Sequence, residues 1–511
     1  MKNKFLLTIT ALFSSIFIFA QAPRITYTEP EREDSRRTEY EIIGKVGGNF
    51  VIYKNNRTTS DICVYDNEMK LKERVKMDYV QQDKLINIDF VAYSDYFYAF
   101  YQYQRRNVVY CTFAKLDANG KLMGTPVDLD TTHINFSASN KLYTTLNSDD
   151  KQRIMIFKIN NRNQRTFIFT TLLFDNQIQM LKKDRFSIPM EERNDFFSEF
   201  LLTNEGDLVV SKFIRNTANS ESILKAFLCT KYVDSSGFTV NDIGIGNRIL
   251  DEIKLKIDNT GKRIIFSAYF YKQRKGNIEG LYILGWNKIT NSKTRDTALV
   301  FSEELRAIAK GEDVNKKLAF NDYYIKNVIS RKDGGFIMIS EALYSSSRGS
   351  NYNRWDSYGY GNPWMSPMSS NYWSPYSSAW NMPWNRYNSL SATRYYADNI
   401  MVLSFSKDGV LEWSNVIPKS QFDDDNDNNI SFSVMNTGGD VHFLFNQVER
   451  RTSMLSDQSI GPDGKITRNP TLRNLDKGYE FMPRLGKQVS SRQMIVPCLY
   501  RNYLCFSKID F

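Results

Sequence analysis

Histidine is almost missing from this chain: His133 and His442 are the only two among 511 residues. That scarcity argues against His-ligated metal centres and Ser-His-Asp chemistry. Cysteine is sparse too. Cys63, Cys111, Cys229, Cys498 and Cys505 are an odd, scattered set, which is no disulfide framework for a chain of this length. Beyond the N-terminal segment no window approaches the ~20 consecutive apolar residues of a membrane span. Phosphate loops, dinucleotide fingerprints and zinc spacings do not occur. Charge of one sign is weak, because 67 basic against 57 acidic residues leave +10 spread along the chain. What the chain has in quantity is apolar and aromatic side chains, 41% and 14%, which is ample for a packed core. The length suits about three average domains or one large repeat array.

The first twenty residues read as a targeting segment. Lys2 and Lys4 precede an apolar stretch from Phe5 to Phe19, and Ala20 offers a small residue for cleavage before Gln21. Its fifteen residues are short for a span, although an uncleaved anchor is the other reading. Cleavage would leave +10 − 2 = +8. The "IFAQ" ending resembles signal peptides of Bacteroidota. "DTT" at Asp130–Thr132 and "DTA" at Asp296–Ala298 resemble the O-glycosylation sequons of the same group.

The rest of the chain repeats. Short β-branched and aromatic runs such as "NFVIYK", "RIMIFKI", "RIIFSAYF" and "QMIVPCLY" each follow a small polar turn. The turns are Gly47-Gly48, Ser94-Asp95, Asp149-Asp150, Glu205-Gly206, Thr260-Gly261, Gly334-Gly335, Gly438-Gly439 and Ser490-Ser491. The period is near ~50 residues, apart from two longer intervals. One of these holds a predicted helix, "SEELRAIAKG", opened by Ser302 as N-cap. The other holds a biased insertion. Second turns at Asn119-Gly120, Asp408-Gly409 and Asp463-Gly464 join a third strand to a fourth, since both positions of such turns accept positive φ. Each unit therefore reads as four antiparallel strands, which bury both faces only when stacked in a ring.

This pattern resembles an all-β β-propeller over residues 24–511, akin to exported repeat proteins of Bacteroidota. The likeness rests on period; no WD, kelch or Asp-box motif is present. Eight repeats are counted. The last supplies only three strands, and the N-terminal "RITYTE" would supply the fourth and close the ring. Seven blades plus a hairpin, or a solenoid or tandem sandwiches, are the other arrangements.

Residues 345–392 break the period. They hold eleven Trp or Tyr, including Trp355, Trp364, Trp373, Trp380 and Trp384, among Ser, Asn, Gly and four prolines. The segment reads as a long loop in the sixth blade, inserted into a single domain over 21–511. Trp and Tyr on an adaptable polar background suit protein contact. Sugar stacking and simple packing over the rim are the competing readings. A local charge of only +2 and export disfavour nucleic acid.

Other chemistry is thinner. Asp423, Asp425, Asp427 and Asn429 alternate like the first half of a Ca²⁺ loop, but Asn428 stands where Gly is usual and Val434 where a bidentate acid is expected. A solvated acidic connector is the plainer reading. His133 lies between blades, and His442 lies inside a strand run where a packed imidazole is the default. Residues 29–41, "EPEREDSRRTEYE", read as a solvated connector. In "PCLYRNYLC" a two-residue turn at Arg501-Asn502 sets Cys498 opposite Cys505 as a hydrogen-bonded pair with Cα atoms near ~5.5 Å. A bridge and two buried free thiols both remain open there. The expectation is an exported, non-catalytic interaction module of the cell envelope, periplasmic, outer-membrane-associated or extracellular. It has an envelope protein as partner, no membrane span once mature, no catalytic residue and no cofactor other than Ca²⁺. A glycan-binding propeller, or a propeller hydrolase with carboxylates in the central channel, is the alternative.

Overall fold

Alternate residues of a strand face opposite ways, so a strand apolar at every position must be covered on both sides. The second strand of the sixth repeat shows the consequence. Phe336 and Met338 join a cluster shared with the fifth repeat, whereas Ile337 and Ile339 join one shared with the seventh. The computed structural model describes residues 23–347 and 393–511, apart from short stretches of which 190–194, 217–221, 312–319 and 473–477 are the longest. Within them the chain forms an eight-bladed β-propeller of four-stranded antiparallel blades.

Counting outward from the axis, blade 1 is Glu39–Val46, Asn49–Asn55, Ser60–Tyr65 and Leu71–Lys76. Blades 2 to 7 open with innermost strands Leu85–Ala92, Tyr143–Asn147, Asp195–Leu202, Ile249–Asp258, Tyr323–Ser330 and Phe432–Asn436. In blade 8 the innermost strand is Lys487–Ser490, followed by Gln493–Tyr500 and Tyr503–Asp510. The N-terminal Arg24–Tyr27 pairs with the last of these, Arg24 opposite Asp510 and Tyr27 opposite Ser507. First and last segments thus share one blade, and the ring has no seam held only by side chains.

Eight apolar clusters each join two neighbouring blades. The closing cluster packs Ile495, Leu504 and Phe506 of blade 8 against Tyr40, Ile42, Phe50 and Tyr65 of blade 1. Burying a side chain of this size stabilises by about 1.5–3 kcal/mol, so every interface contributes. The predicted helix is present as Glu303–Lys310. Ser302 Oγ accepts from the Leu305 N–H at its start, and Gly311 ends it at φ +68°.

Two sequence expectations shift. The connector read over residues 29–41 is partly structural. Glu31–Asp34 pairs with the third strand of blade 8, Glu31 is ion-paired to Lys54 and Arg74, and Glu41 is buried on the first inner strand. Charge alone misread it, since these acids meet cations that come from other strands. The insertion also starts later than expected, because Ser345, Ser346 and Ser347 still pair with Tyr395, Arg394 and Thr393.

Candidate functional site

Turns of an antiparallel meander fall alternately at its two ends, so the ring has two unlike faces. One carries every turn from first to second strand and from third to fourth. The first kind spans two to five residues, from Gly47-Gly48 to the stretch 148–152. Among the second, Asp66, Asp117 and Asp175 each accept two backbone N–H bonds at 2.8–2.9 Å, from the residues two and four places on. The residue three places after each Asp has positive φ: Met69, Gly120 and Ile178. Here one local device is repeated to make tight hairpins.

The other face carries the connections between blades and from second to third strands. Second and third strands are two residues apart in blades 2, 3, 7 and 8, but four, seven, eight and 45 residues apart in blades 1, 4, 5 and 6. Residues 301–322 include the helix, and the 45 positions from 348 to 392 leave blade 6. Blade 6 is itself elongated toward this face, with strands Phe336–Ser347, Thr393–Phe405 and Leu411–Asp424 of 12, 13 and 14 residues. On this stem Tyr344 stacks on Tyr396 at 4.6 Å between ring centroids, and Tyr344 donates to Asp398 at 2.8 Å. Arg394 lies 4.6 Å over Phe422, which is 60% exposed, and makes a two-bond pair with Asp424. An open polar groove on the same face, at blade 2, is lined by Lys84, Gln104, Arg106, Asn107 and Asn135.

Charged residues on or just before the innermost strands, joined in blade 6 by Glu341 of its second strand and Lys419 of its fourth, link successive blades around the axis. Lys254 of blade 5 bridges Glu199 of blade 4 and its own neighbour Glu252, both at 3.1 Å. Lys326 of blade 6 senses Glu252 and lies 3.6 Å from Glu341. Glu341 also takes Lys419 at 2.7 Å and a hydrogen bond from Ser431 Oγ at 2.5 Å. Arg484 is paired to Asp427. On the opposite side Lys487 faces Glu41 and donates to the Ile42 and Ile43 carbonyls at 2.8 and 3.2 Å, and Lys141 stands 3.7 Å from Asp89. The innermost strands of blades 1, 2, 4, 5, 6 and 8 are bulged, and Lys326 occupies one of these bulges.

Burial governs the acid–base character of this belt. It pushes Glu41 up to about 8 against the pull of Lys487. It lowers Lys487 against Glu41, and it lowers Lys326 and Lys419 against Glu341. Carboxylates do gather around the axis, but each of these six, Glu199, Glu252, Glu341, Asp427, Glu41 and Asp89, has a Lys or Arg beside it. The belt is therefore suited to locking blades in register more than to delivering a proton or holding a cation. The pocket where it meets the blade 6 stem, lined by Lys326, Leu343, Tyr344, Tyr395, Asp427 and Ser431, has room for about one water molecule.

The sequence candidates fall as follows. Trp355, Trp364, Trp373, Trp380 and Trp384 lie outside the described residues, as does Asp425. Asp423 is the penultimate residue of the outer strand of blade 6. Burial raises its carboxyl to about 6, opposed by hydrogen bonds from Asn429 and reinforced by Asp427. Asp427 is held by Arg484, and the Asn429 carbonyl accepts from Asn446 at 2.8 Å. A calcium ion at Asp423, Asp427 and Asn429 would have to compete with that guanidinium. Among the described residues no group of three His, Cys, Asp or Glu converges as metal ligands do. His442 has a partner that strand periodicity did not reveal. Its Nδ1 is 3.1 Å from both oxygens of buried Asp457, with Phe511 edge-on to the ring. Asp457 and His442 lie on paired strands, so counting hairpin register could have found them. Among the described residues no helix is long and apolar enough to cross a membrane.

No protein-family profile matches this chain, and no curated protein matches it. Among solved structures it is similar to prolyl oligopeptidase B from Galerina marginata, with 9% identity and a TM-score of 0.40, over 92% of this chain and 56% of that one. It is also similar to the polysaccharide lyase Uly1, with 10% identity and a TM-score of 0.41, over 83% and 89% of the two chains. An ulvan lyase bound to a sulfated disaccharide repeat gives 11% identity and a TM-score of 0.38, over 80% and 88%. The chain spans just over half the length of the prolyl oligopeptidase. At these scores and identities no activity of those proteins transfers to this one.

Proposed function

We propose that this chain is an exported, non-catalytic interaction module of the cell envelope, which holds a protein partner on its irregular face. The observation that carries the reading is the inequality of the two faces. No turn of one face exceeds nine residues, whereas the other carries the helix segment 301–322, the 45-position insertion and the elongated blade 6. Function on rigid scaffolds concentrates in such variable connections. The belt around the axis favours this over hydrolysis, since five of its six carboxylates are ion-paired to neighbouring cations and Glu41 lies buried against Lys487. The targeting segment at residues 1–20 supports export, and the aromatic residues Trp355, Trp364, Trp373, Trp380 and Trp384 are the proposed anchors, Trp and Tyr being frequent hot spots.

The test is affinity capture from envelope fractions of the source organism. The intact protein is compared with one in which Asn-Gly joins Ser347 to Thr393, which are paired and so suit a tight turn. A partner retained only by the intact protein, and rebound after purification, is the expected result. A purified oligosaccharide that quenches tryptophan fluorescence, with no protein captured, would replace this reading by glycan binding.

A further inference from the structure

The hairpin closing blade 8 joins Gln493–Tyr500 to Tyr503–Asp510 through Arg501 and Asn502, both at positive φ (+49° and +69°), the signature of a type I′ turn. That turn fixes the register, so Cys498 stands directly across from Cys505. Both side chains are buried, and their sulfurs lie 3.0 Å apart, closer than two thiols sit in ordinary contact. Directly opposed residues of an antiparallel pair have Cα atoms about 5.5 Å apart when hydrogen-bonded, inside the span that disulfides bridge. We infer that Cys498 and Cys505 form a cross-strand disulfide when the chain folds in the presence of a disulfide-donating oxidoreductase.

The other three thiols have no such neighbour. Cys63, Cys111 and Cys229 belong to blades 1, 2 and 4, each buried in its own sheet. Burial raises all three, Cys229 to about 12, which keeps them as unreactive thiols. Burial raises Cys498 as well, so the bond forms while the hairpin is still open to solvent. One cysteine thiolate attacks the donor's disulfide and gives a mixed disulfide with release of one donor thiolate. The second cysteine thiolate then displaces the other donor sulfur. The pair loses two electrons and two protons, and the donor leaves as a dithiol. The bond ties Gln493–Tyr500 to Tyr503–Asp510, the strand that also receives Arg24–Tyr27 and so completes the ring.

The experiment produces the full chain in a reducing cytosol and, separately, in a compartment supplied with a disulfide-donating oxidoreductase. Thiols are counted after denaturation, and unreduced peptides are mapped. Five thiols in the first case and three in the second, with a single linked peptide joining Cys498 to Cys505, is the expected result; Cys505→Ser then shows four thiols from both. Five thiols from the oxidising compartment, or a linkage through Cys63, Cys111 or Cys229, overturns the inference. Material from the source organism separates this from the export reading: if it is reduced while oxidised production gives the bond, the pairing stands and export fails.

Discussion

The two faces of the ring are made from the same strands, yet they obey different rules. On the hairpin face three turns share one solution, an Asp accepting two backbone N–H groups and a following residue at positive φ. That uniformity fits a surface whose task is to return each strand. On the connector face two-residue links recur in blades 2, 3, 7 and 8, but the rest diverge, with a capped helix, a polar groove, a long stem with stacked tyrosines and a 45-residue insertion. On the proposed reading, a repeat scaffold that varies most at one end, with a charge belt fixing its middle, would separate stability from recognition.

The largest effect is expected where the belt supports the connector face. Glu341→Gln leaves Lys419 and Lys326 without their buried counter-charge, and removing one member of a buried pair costs about 3–5 kcal/mol. A sharp fall in the urea midpoint should follow, with partner capture lost only as the fold is lost. On the hairpin face Gly120→Val tests whether turn chemistry is structural. Gly120 has φ +79°, and an added Cβ would meet Ile62 Cγ2 at 2.6 Å. Strain of this kind costs about 1–3 kcal/mol, so the midpoint should drop while capture by the folded fraction is unchanged.

A smaller effect concerns Asp423. Its carboxyl is raised from 3.8 to about 6 in the folded protein, so its protonated form is favoured there. The associated stability is complete below pH 3.8 and is lost as pH rises through about 6. Asp423→Asn should flatten that decline and gain about 1 kcal/mol at pH 7 after solvent screening, checked by urea titrations at pH 4 and pH 7. The smallest change in stability, within about 0.5 kcal/mol, is expected on replacing residues 348–392 by a tight turn, since Ser347 and Thr393 already pair across the join. That same variant should lose its partner completely, which is the sharpest form of the contrast between faces.

The hairpin face was largely legible in the sequence, because Gly and Asx turns are local signals. Asn119-Gly120, Asp408-Gly409 and Asp463-Gly464 announced themselves. The equivalent turns at Asp66 and Asp175 did not, since Met69 and Ile178 stand at positive φ where Gly is the usual mark. Ring closure was legible by counting: the last repeat was one strand short, and Arg24–Tyr27 supplies it. The belt was not legible. Glu199 and Lys254 are 55 residues apart, and Glu341 and Ser431 are 90 apart, so only the assembled ring brings them together. The same holds for Glu41, which the local charge pattern placed in solvent and the ring buries.

The most direct test of the central claim is hydrogen–deuterium exchange on the protein alone and with the partner obtained by capture. Protection is predicted in connector-face segments, namely 77–84, 134–142, 301–322 and the stem around Tyr344, Tyr396 and Phe422. The turns at Asp66–Lys70, Asp117–Lys121 and Asp175–Gln179 should exchange as before. Protection confined to those turns, with the connector face unaltered, would contradict the account.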